Sequence, residues 1–495
     1  MSTYVEEIAM QLEALGVRAH ALRTDSRAVR AGDVFLAYPG AHSDGRRHIG
    51  DAIAAGASAV LWEKNGYAWN EAWRVPNLAV EGLRQTAGAL ADVIYGHPSE
   101  RVAVIAITGT NGKTTCSQWI AQAYAHFGRR AGVIGTLGIG YPGAYEPSPN
   151  TTPDPVVLQE ALKRFADDGA AAVALEASSI GIEQGRLNGV RVRTAVFTNL
   201  SRDHLDYHPN MEAYAQAKLK LFLRPGLRHA VLNMDDVAGV RIAQSLEAEG
   251  VERVAYSLTR DVARSSGLER FVEAHHVRLS ADGVSFDLVS SWGNARIETA
   301  LLGRFNVANI LAVAGALLVS GFSLAQVAEA ARHFQPAAGR MQRAGGGEMP
   351  LVVIDYAHTP DALEKVLGAL RDVARKQQGR LWCVFGCGGD RDRGKRPLMG
   401  EAVSRYADRA IVTSDNPRSE DPLAIVAEIL PGLSITHDIE IDRRAAIRLA
   451  VSQARRGDVI LIAGKGHEPY QEIAGQRLPF SDLDEARRAL EERQS

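Results

Sequence analysis

What this chain has little of closes off several classes of function. Cysteine occurs three times, at Cys116, Cys383 and Cys387. The number is odd and no metal-ligand spacing is present, so reduced structural thiols are expected. Excess positive charge is missing: 56 Lys and Arg stand against 58 Asp and Glu, for a net charge of −2. A nucleic-acid surface built on bulk positive charge is therefore not expected. No apolar run approaches the roughly 18 residues needed to cross a bilayer. The first residues, MSTYVEEIAM, carry Glu6 and Glu7 where a signal peptide needs Lys or Arg. A cytoplasmic protein without membrane insertion is expected. The chain shows no internal repeat, low-complexity tract or heptad run. What remains, 46% hydrophobic and 23% charged residues over 495 positions, is an ordinary globular composition. A chain this long exceeds a single core, and typical domain sizes suggest about three units.

The most informative stretch is VAVIAITGTNGKTT, Val102 to Thr115. Its Val- and Ile-rich run suits a strand buried on both faces, and Gly109 and Gly112 allow main-chain N–H groups to converge on an anion. Thr110 and Asn111 complete the turn. Lys113 would place a cation against the β- and γ-phosphates, and the hydroxyl of Thr114 would reach a phosphate-bound Mg²⁺. The helix starting near Thr115 would aim its positive end at the anion. Ile107 stands where the generic phosphate-loop pattern has its first glycine, so that pattern is only partly matched. An ordinary glycine-rich strand-to-helix turn is the plain alternative.

The rest of the chain reads as α/β. The first ninety-odd residues alternate short strands (DVFLAYPG, SAVLWE) with helices at His48 to Ala55 and Leu83 to Tyr95. Polar clusters Thr24-Asp25-Ser26-Arg27 and Ala41-His42-Ser43-Asp44-Gly45-Arg46-Arg47 sit beside strands, as turns or as contacts for a phosphorylated, sugar-bearing ligand. Gly96-His97-Pro98-Ser99 reads as a hinge. From about Arg101 the strands VAVIAI, AGVIGTLG, AAVALEAS, TAVFTNL and HAVLNM alternate with helices, which predicts a parallel sheet covered on both sides. Ligands collect beyond the carboxyl ends of such strands, where Asn150-Thr151-Thr152, Glu176-Ala177-Ser178-Ser179 and Thr198 to His204 lie. Residues 265–300 read as antiparallel strands, in which His275 and His276 point to opposite sides. A helix to Leu318 follows, with Asn306 and Asn309 on one face. A second mostly parallel sheet (VVIDYA, LWCVFG, RAIVTS, VILIAG) begins after Gly339-Arg340-Met341. The expected division is 1–98, 99–337 and 338–495.

GTNGKTT, NTTPD, LEASS, TNLSRDHLDYH, GRFNVANI, DYAHTPD, GCGGDRDRGKRP, SDNPR and GKGHE, taken together and in order, strongly resemble the Mur ligase family. The resemblance covers nearly the whole chain and is greatest to the branch that adds the third residue of the peptidoglycan stem peptide. It implies a UDP-binding N-terminal domain, a phosphate-loop ATPase core and a Rossmann-like C-terminal domain. A monomer is expected, and the resemblance also implies an enzyme that works on ATP, UDP-N-acetylmuramoyl-L-Ala-D-Glu and meso-diaminopimelate through an acyl phosphate. Such chemistry needs positioned cations more than a protein nucleophile.

By the same resemblance, Lys113, Glu176, His204 and Lys218 carry catalysis. Thr114, Glu176, His204 and Lys218 hold Mg²⁺, with Lys218 carbamylated by CO₂ and Lys220 as the alternative if the register differs. Asn306 and Asn309 stack on the base, Arg340 lies near the ribose or phosphates, and Asp355 and His358 close over the nucleotide held by Gly109 to Thr115. Thr24, Ser26, Ala41, His42 and Ser43 bind the UDP-sugar. Asn150, Thr151, Thr152, Ser178, Gln184 and Arg186 bind the dipeptide arm. Asp415-Asn416-Pro417-Arg418, with Arg391, Gly464 and Glu468, take the diamino acid, and Arg418 can grip its far carboxylate bidentately. The family commonly has His where Ile180 stands. An L-lysine-adding homologue, a folylpolyglutamate synthase and a nucleotide-dependent switch are the rival readings.

Overall fold

Alternation of apolar side chains along short buried strands decides the architecture of this mixed α/β chain. A computed structural model describes residues 2–40, 43–280 and 283–494, and it divides into two compact units. One comprises Met1–Thr108, Tyr124–Ala195 and Ala217–Arg228; the other comprises Gly109–Ala123, Val196–Gln216 and His229–Ser495.

In the first unit, the strands Leu22–Arg23, Val34–Ala37, Ala59–Glu63 and Asn77–Val80 pair in that order, all parallel. Val34 and Leu36 face a core built with Val5, Ile8 and Leu12 and with Leu83 and Leu90. Phe35 and Ala37 face the other way, against Ile49, Ala52 and Trp62. Side chains of successive strand residues point to opposite faces, so both faces of this small sheet are covered. The helix Ser2–Ala14, which supplies Val5, Ile8 and Leu12, lies in a segment that the sequence reading left without an element. The helices expected at His48 to Ala55 and Leu83 to Tyr95 run Ile49–Ala54 and Leu83–Ile94.

Also in this unit, Ala103–Thr108 pairs with Ala172–Glu176 and the latter with Ala131–Gly135, all parallel. Beyond Ala131–Gly135 the chain reverses, and Gly138–Tyr141 and Ala144–Glu146 extend the sheet antiparallel. That edge was not anticipated, because AGVIGTLG reads as one strand until the Thr136-Leu137 reversal is seen.

In the second unit, His229–Asn233, Glu252–Ser257 and Arg270–Leu279 are parallel, and Val284–Ser290 and Gly293–Thr299 follow antiparallel, as expected for residues 265–300. The helix Arg304–Val319 packs against the parallel three. The last third forms a six-stranded sheet in the order Gln342–Gly345, Leu351–Asp355, Val459–Ala463, Leu381–Phe385, Arg409–Val412, His437–Ile439. Only its first strand is antiparallel. Alternation again splits the core: Val353, Leu461 and Leu363 pack on one face, and Val352, Ile354, Ile460 and Ile447 on the other. Cys116, Cys383 and Cys387 are buried and form no disulfide, and burial pushes the Cys387 thiol up to about 12, so it stays protonated.

Among the described residues no helix is long and apolar enough to cross a membrane.

One buried ion pair ties the strand ends of the last sheet together. Arg443, wholly buried, donates to both oxygens of Asp482 at 2.7 and 2.8 Å. It also donates to the carbonyls of Ser414 (3.2 Å) and Ala463 (2.9 Å), the residues just before Asp415 and Gly464. Removing one partner of a buried pair leaves the other charge uncompensated. Arg443→Met should therefore lower stability by about 3–5 kcal/mol, measured as a fall in the denaturation midpoint. Arg443→Met with Asp482→Leu should recover much of the loss, and a neutral single substitution would contradict this role.

Candidate active site

The loop after Ala103–Thr108 is shaped by two glycines that accept no side chain. Gly109 has φ +148°, and a Cβ there would lie 1.9 Å from Thr198 Oγ1; Gly112 has φ +89°, with Asn309 Oδ1 at 2.6 Å from the same added atom. Such backbone angles favour glycine, and the contacts make it obligatory. The loop is laced to the residues after Val192–Phe197. Thr110 N donates to Asn199 O at 2.8 Å, Asn111 N donates to Asn199 Oδ1 at 3.0 Å, and Thr198 Oγ1 donates to Asn111 O at 2.5 Å. Thr110 Oγ1 donates to Ser201 O at 3.1 Å and accepts from Ser201 N at 3.0 Å. The helix Lys113–His126 starts at the lysine, whose Nζ donates to the carbonyls of Gly109 (2.6 Å) and Thr110 (2.9 Å).

Beside this loop lies a cavity of about 390 Å³, lined by Asn111, Gly112, Thr115, Asn306, Asn309, Arg340 and Asp355 together with Thr198, Asn199, Asn233, Asp236, Tyr256 and Lys365. Seven of the residues expected around a nucleotide thus share one wall system, while Gly109, Thr110, Lys113, Thr114 and His358 do not line it. Asn306 and Asn309 are buried and joined: Asn306 Nδ2 donates to Leu302 O at 2.8 Å, and Asn309 Nδ2 to Asn306 Oδ1 at 3.2 Å. The Arg340 guanidinium stacks on the Tyr356 ring at 4.4 Å and reaches Thr114 Oγ1 at 3.4 Å. Asp355 serves the backbone, accepting from Met341 N and Ala357 N at 2.8 Å each. Burial raises its carboxyl above the usual range, against the opposing pull of Arg340.

His204 and His358 meet at a residue the sequence reading did not single out. Asp203 Oδ2 lies 3.5 Å from His204 Nε2 and 3.7 Å from His358 Nε2. Burial works to raise this carboxyl, but hydrogen bonding and charge from His358, with His204 and Lys395, overcome it and hold it far below the usual range. His358 Nδ1 faces the Tyr356 carbonyl at 2.8 Å.

The first unit holds a separate polar group. Glu176 ends its strand fully buried, with Oε1 accepting from Thr136 N at 3.1 Å and Oε2 from Thr136 Oγ1 at 2.9 Å. Thr151 Oγ1 is 3.1 Å from Thr136 Oγ1, and Thr152 Oγ1 donates to Glu176 O at 2.8 Å and contacts Ser178 Oγ at 3.0 Å. Arg186 donates to Thr152 O at 2.6 Å and to Gln184 Oε1 at 2.7 Å. Five of the six dipeptide-arm residues are thereby linked; Asn150 is exposed, its carbonyl accepting from Ser148 Oγ at 2.8 Å. Lys218 is buried at 2% exposure, whereas Lys220 pairs with Glu183 at 2.7 Å with half its side chain in water. Thr24 lines a cavity of about 480 Å³ with Leu22, Arg23, Asp25 and Glu160, and Ser26 starts the short helix beside it. Ser43 is exposed, its carbonyl accepting from Gly40 N at 2.7 Å; Ala41 and His42 lie outside the described residues. Of the expected metal ligands, Thr114 and His204 belong to the second unit and Glu176 and Lys218 to the first. The pair His275 and His276 separates as expected, bonding Glu273 at 2.9 Å and Asp287 at 2.7 Å respectively.

In the last third, the expected amino-acid residues converge. Asn416 Nδ2 donates to Glu468 Oε2 at 2.8 Å, and a Cβ on Gly464, at φ +115°, would lie 2.7 Å from Asp415 Oδ2. Arg418, at φ +52°, donates from Nη1 to Gly389 O at 2.7 Å and lies 3.7 Å from Glu472. Arg391 is exposed and shares the neighbourhood of Gly388 with Arg418. Pro417 is buried. Arg396, fully buried, braces this region through Glu420 and Glu428. Hydrogen bonding to Arg396 holds the Glu420 carboxyl down to about 2.

Thr136, Asn199, Asp203 and Arg396 escaped assignment. Asp203 stood in view beside His204, and Asn199 followed a strand; for Thr136 the one clue was its place after AGVIG.

A glycine-shaped strand-to-helix turn beside a cavity in an α/β chain is the arrangement of a phosphate-loop enzyme. The chain belongs to the Mur ligase family. The model described as Mur ligase middle domain matches residues 107–317, that described as Mur ligase, glutamate ligase domain matches 339–466, and that described as Mur ligase family, catalytic domain matches 18–95. The UDP-N-acetylmuramoyl-L-alanyl-D-glutamate–2,6-diaminopimelate ligase of Chromobacterium violaceum is 50% identical over 97% of this chain and 96% of its own length. A solved ligase of the same name is 40% identical, covers 96% of each chain and superposes with a TM-score of 0.66. The Thermotoga maritima MurF ligase, solved in complex with ADP, shares the fold at 16% identity and a TM-score of 0.66, over 96% of this chain and 99% of its own.

Proposed function

We propose that this chain is an ATP-dependent ligase that joins meso-2,6-diaminopimelate to the D-Glu γ-carboxylate of UDP-N-acetylmuramoyl-L-Ala-D-Glu, releasing ADP and phosphate. The observation that carries the reading is likeness, over nearly the whole chain, to ligases whose names specify 2,6-diaminopimelate. We place it in the cytoplasm, in peptidoglycan precursor synthesis, as a monomer without membrane partners, and also without nucleic-acid partners, the last point alone being favoured by the charge of −2. The break points between the matched family regions support three domains at 1–98, 99–337 and 338–495.

A carboxylate is a poor electrophile, so the reaction calls for its phosphorylation before an amine attacks. The loop Gly109 to Thr115 receives the triphosphate at the positive end of the helix, through main-chain N–H groups other than those of Thr110 and Asn111, which hold Asn199. Lys113 exchanges its two loop carbonyls for phosphate oxygens. Asn306 and Asn309 stack on the base in the 390 Å³ cavity. Arg340, rigid on Tyr356, meets the ribose or phosphates, and Asp355 and His358 hold the adjoining turn. Thr151, Thr152, Ser178, Gln184 and Arg186 hold the dipeptide arm, with Asn150 at its rim, and Thr24, Ser26, Ala41, His42 and Ser43 the UDP-sugar.

Thr114 and Glu176 would share one Mg²⁺ and His204 would bind a second, beside the reacting carboxylate, with a carbamylated Lys218 as a further oxygen ligand. Glu176, a buried strand-end carboxylate, is the hard oxygen donor that ion prefers. An ammonium buried as deeply as Lys218 is costly, and a carbamate would turn it into an oxygen-donating anion. When bound, the ion neutralises charge gathering on the transferred phosphoryl group. Arg418 receives the far carboxylate of diaminopimelate, with Asp415, Asn416, Pro417, Arg391, Gly464 and Glu468 around the rest of that end. L-lysine has no carboxylate there and would leave the guanidinium without its partner, a loss that disfavours it strongly.

Phosphate release from ATP should require both the UDP-dipeptide and meso-diaminopimelate, and L-lysine should not replace the latter. Release indifferent to both substrates would make the chain a switch, and equal turnover with L-lysine would remove the role of Arg418. Lys218→Ala should lose most activity and regain part of it with added short carboxylic acids; full activity without them would refute the carbamate.

A further inference from the structure

A fully buried cation, Lys465, sits among the residues assigned to the amino acid, yet the reaction as described gives it no role. It follows the strand Val459–Ala463 between Gly464 and Gly466, whose φ values of +115° and +55° turn the chain sharply at that point. Its Nζ donates to Asn416 Oδ1 at 2.9 Å and to Glu468 Oε2 at 3.0 Å, lies 3.9 Å from Asp415 Oδ1, and faces the Tyr470 ring at 5.6 Å.

These contacts decide the orientation of two neighbours. Asn416 Oδ1 accepts from Lys465 Nζ and also from Glu472 N at 2.9 Å. Reversing the amide would press its NH₂ group against an ammonium and an N–H, so only one orientation is permitted. In that orientation Asn416 Nδ2 donates to Glu468 Oε2, the same oxygen that Lys465 holds. Both bonds fall on Oε2, so Oε1 is the oxygen available to a ligand. The charges agree: Asp415 and Glu468 bring two negative charges, Lys465 offsets one, and the remainder suits one incoming ammonium. Without Lys465 the two carboxylates would repel each other in buried surroundings, and the Asn416 amide would keep its orientation through Glu472 N and Glu468 alone.

We propose that Lys465 is a positioning residue for the amine substrate, holding the Asn416 amide and the Glu468 carboxylate in the arrangement that receives an ammonium group of the diamino acid. This rests on the reading of Asp415, Asn416 and Glu468 as the diaminopimelate end.

The test compares wild type, Lys465→Met and Lys465→Arg in full-length enzyme, with KM for diaminopimelate, KM for ATP, kcat and thermal unfolding measured for each. Lys465→Met should raise KM for diaminopimelate by at least about tenfold, with KM for ATP changed by less than about threefold. Lys465→Arg, which keeps the charge but not its compact geometry, should give a smaller rise in the same constant alone. If Lys465→Met does not fold, Lys465→Arg carries the comparison. A folded variant with unchanged KM for diaminopimelate, or with all constants shifted together, would overturn the inference. Wild-type turnover that ignores diaminopimelate would instead overturn the functional reading and this inference with it.

Discussion

The close approach of the Gly109–Gly112 backbone to Thr198 and Asn199 is the constraint on which the site depends. An added Cβ at Gly109 would lie 1.9 Å from Thr198 Oγ1, so the turn and the neighbouring strand end can share that space only without a side chain. The close approach lets Asn199 hold the turn through its carbonyl and its amide oxygen. Lys113 in turn rests on the carbonyls of Gly109 and Thr110. The proposed exchange of these carbonyls for phosphate oxygens would replace weak acceptors with charged ones.

The last third of the chain uses buried charge for a different end. Arg443 holds the carbonyls before Asp415 and Gly464, Arg396 fastens the loop through Gly388 O at 3.3 Å, and Lys465 orients Asn416 and Glu468. Each buried cation is offset by carboxylates and carbonyls of nearby loops and helix ends. Pairs of this kind contribute little net stability compared with apolar replacements. Their effect here is to hold the loops around Asp415, Asn416 and Glu468 in one geometry.

Much of this was legible in the sequence because the chemistry sits where a parallel sheet must put it. Strands with continuous apolar runs announced the α/β class, and the motifs at their carboxyl ends announced the loops. What escaped depends on contacts between distant segments. Thr136 matters only because the strands Ala131–Gly135 and Ala172–Glu176 are neighbours, which sets its hydroxyl on Glu176. Asn306 and Asn309 read as a pair on one helical face, but their mutual hydrogen bond and the contact with Gly112 depend on packing. The helix Ser2–Ala14 has too few strong apolar positions to stand out, and it is buried by the sheet it covers. Lys218 and Lys220 look alike in the sequence; burial separates them.

The central claim is that the phosphate loop serves to activate a carboxylate, and labelling that carboxylate tests it most directly. The UDP-dipeptide is prepared with heavy oxygen in the D-Glu γ-carboxyl group and turned over with ATP and meso-diaminopimelate, and the released phosphate is analysed by mass spectrometry. Transfer of one labelled oxygen into each phosphate is the predicted result, since the acyl phosphate leaves with an oxygen of the acid. Phosphate without label, formed while tripeptide accumulates, would contradict the account.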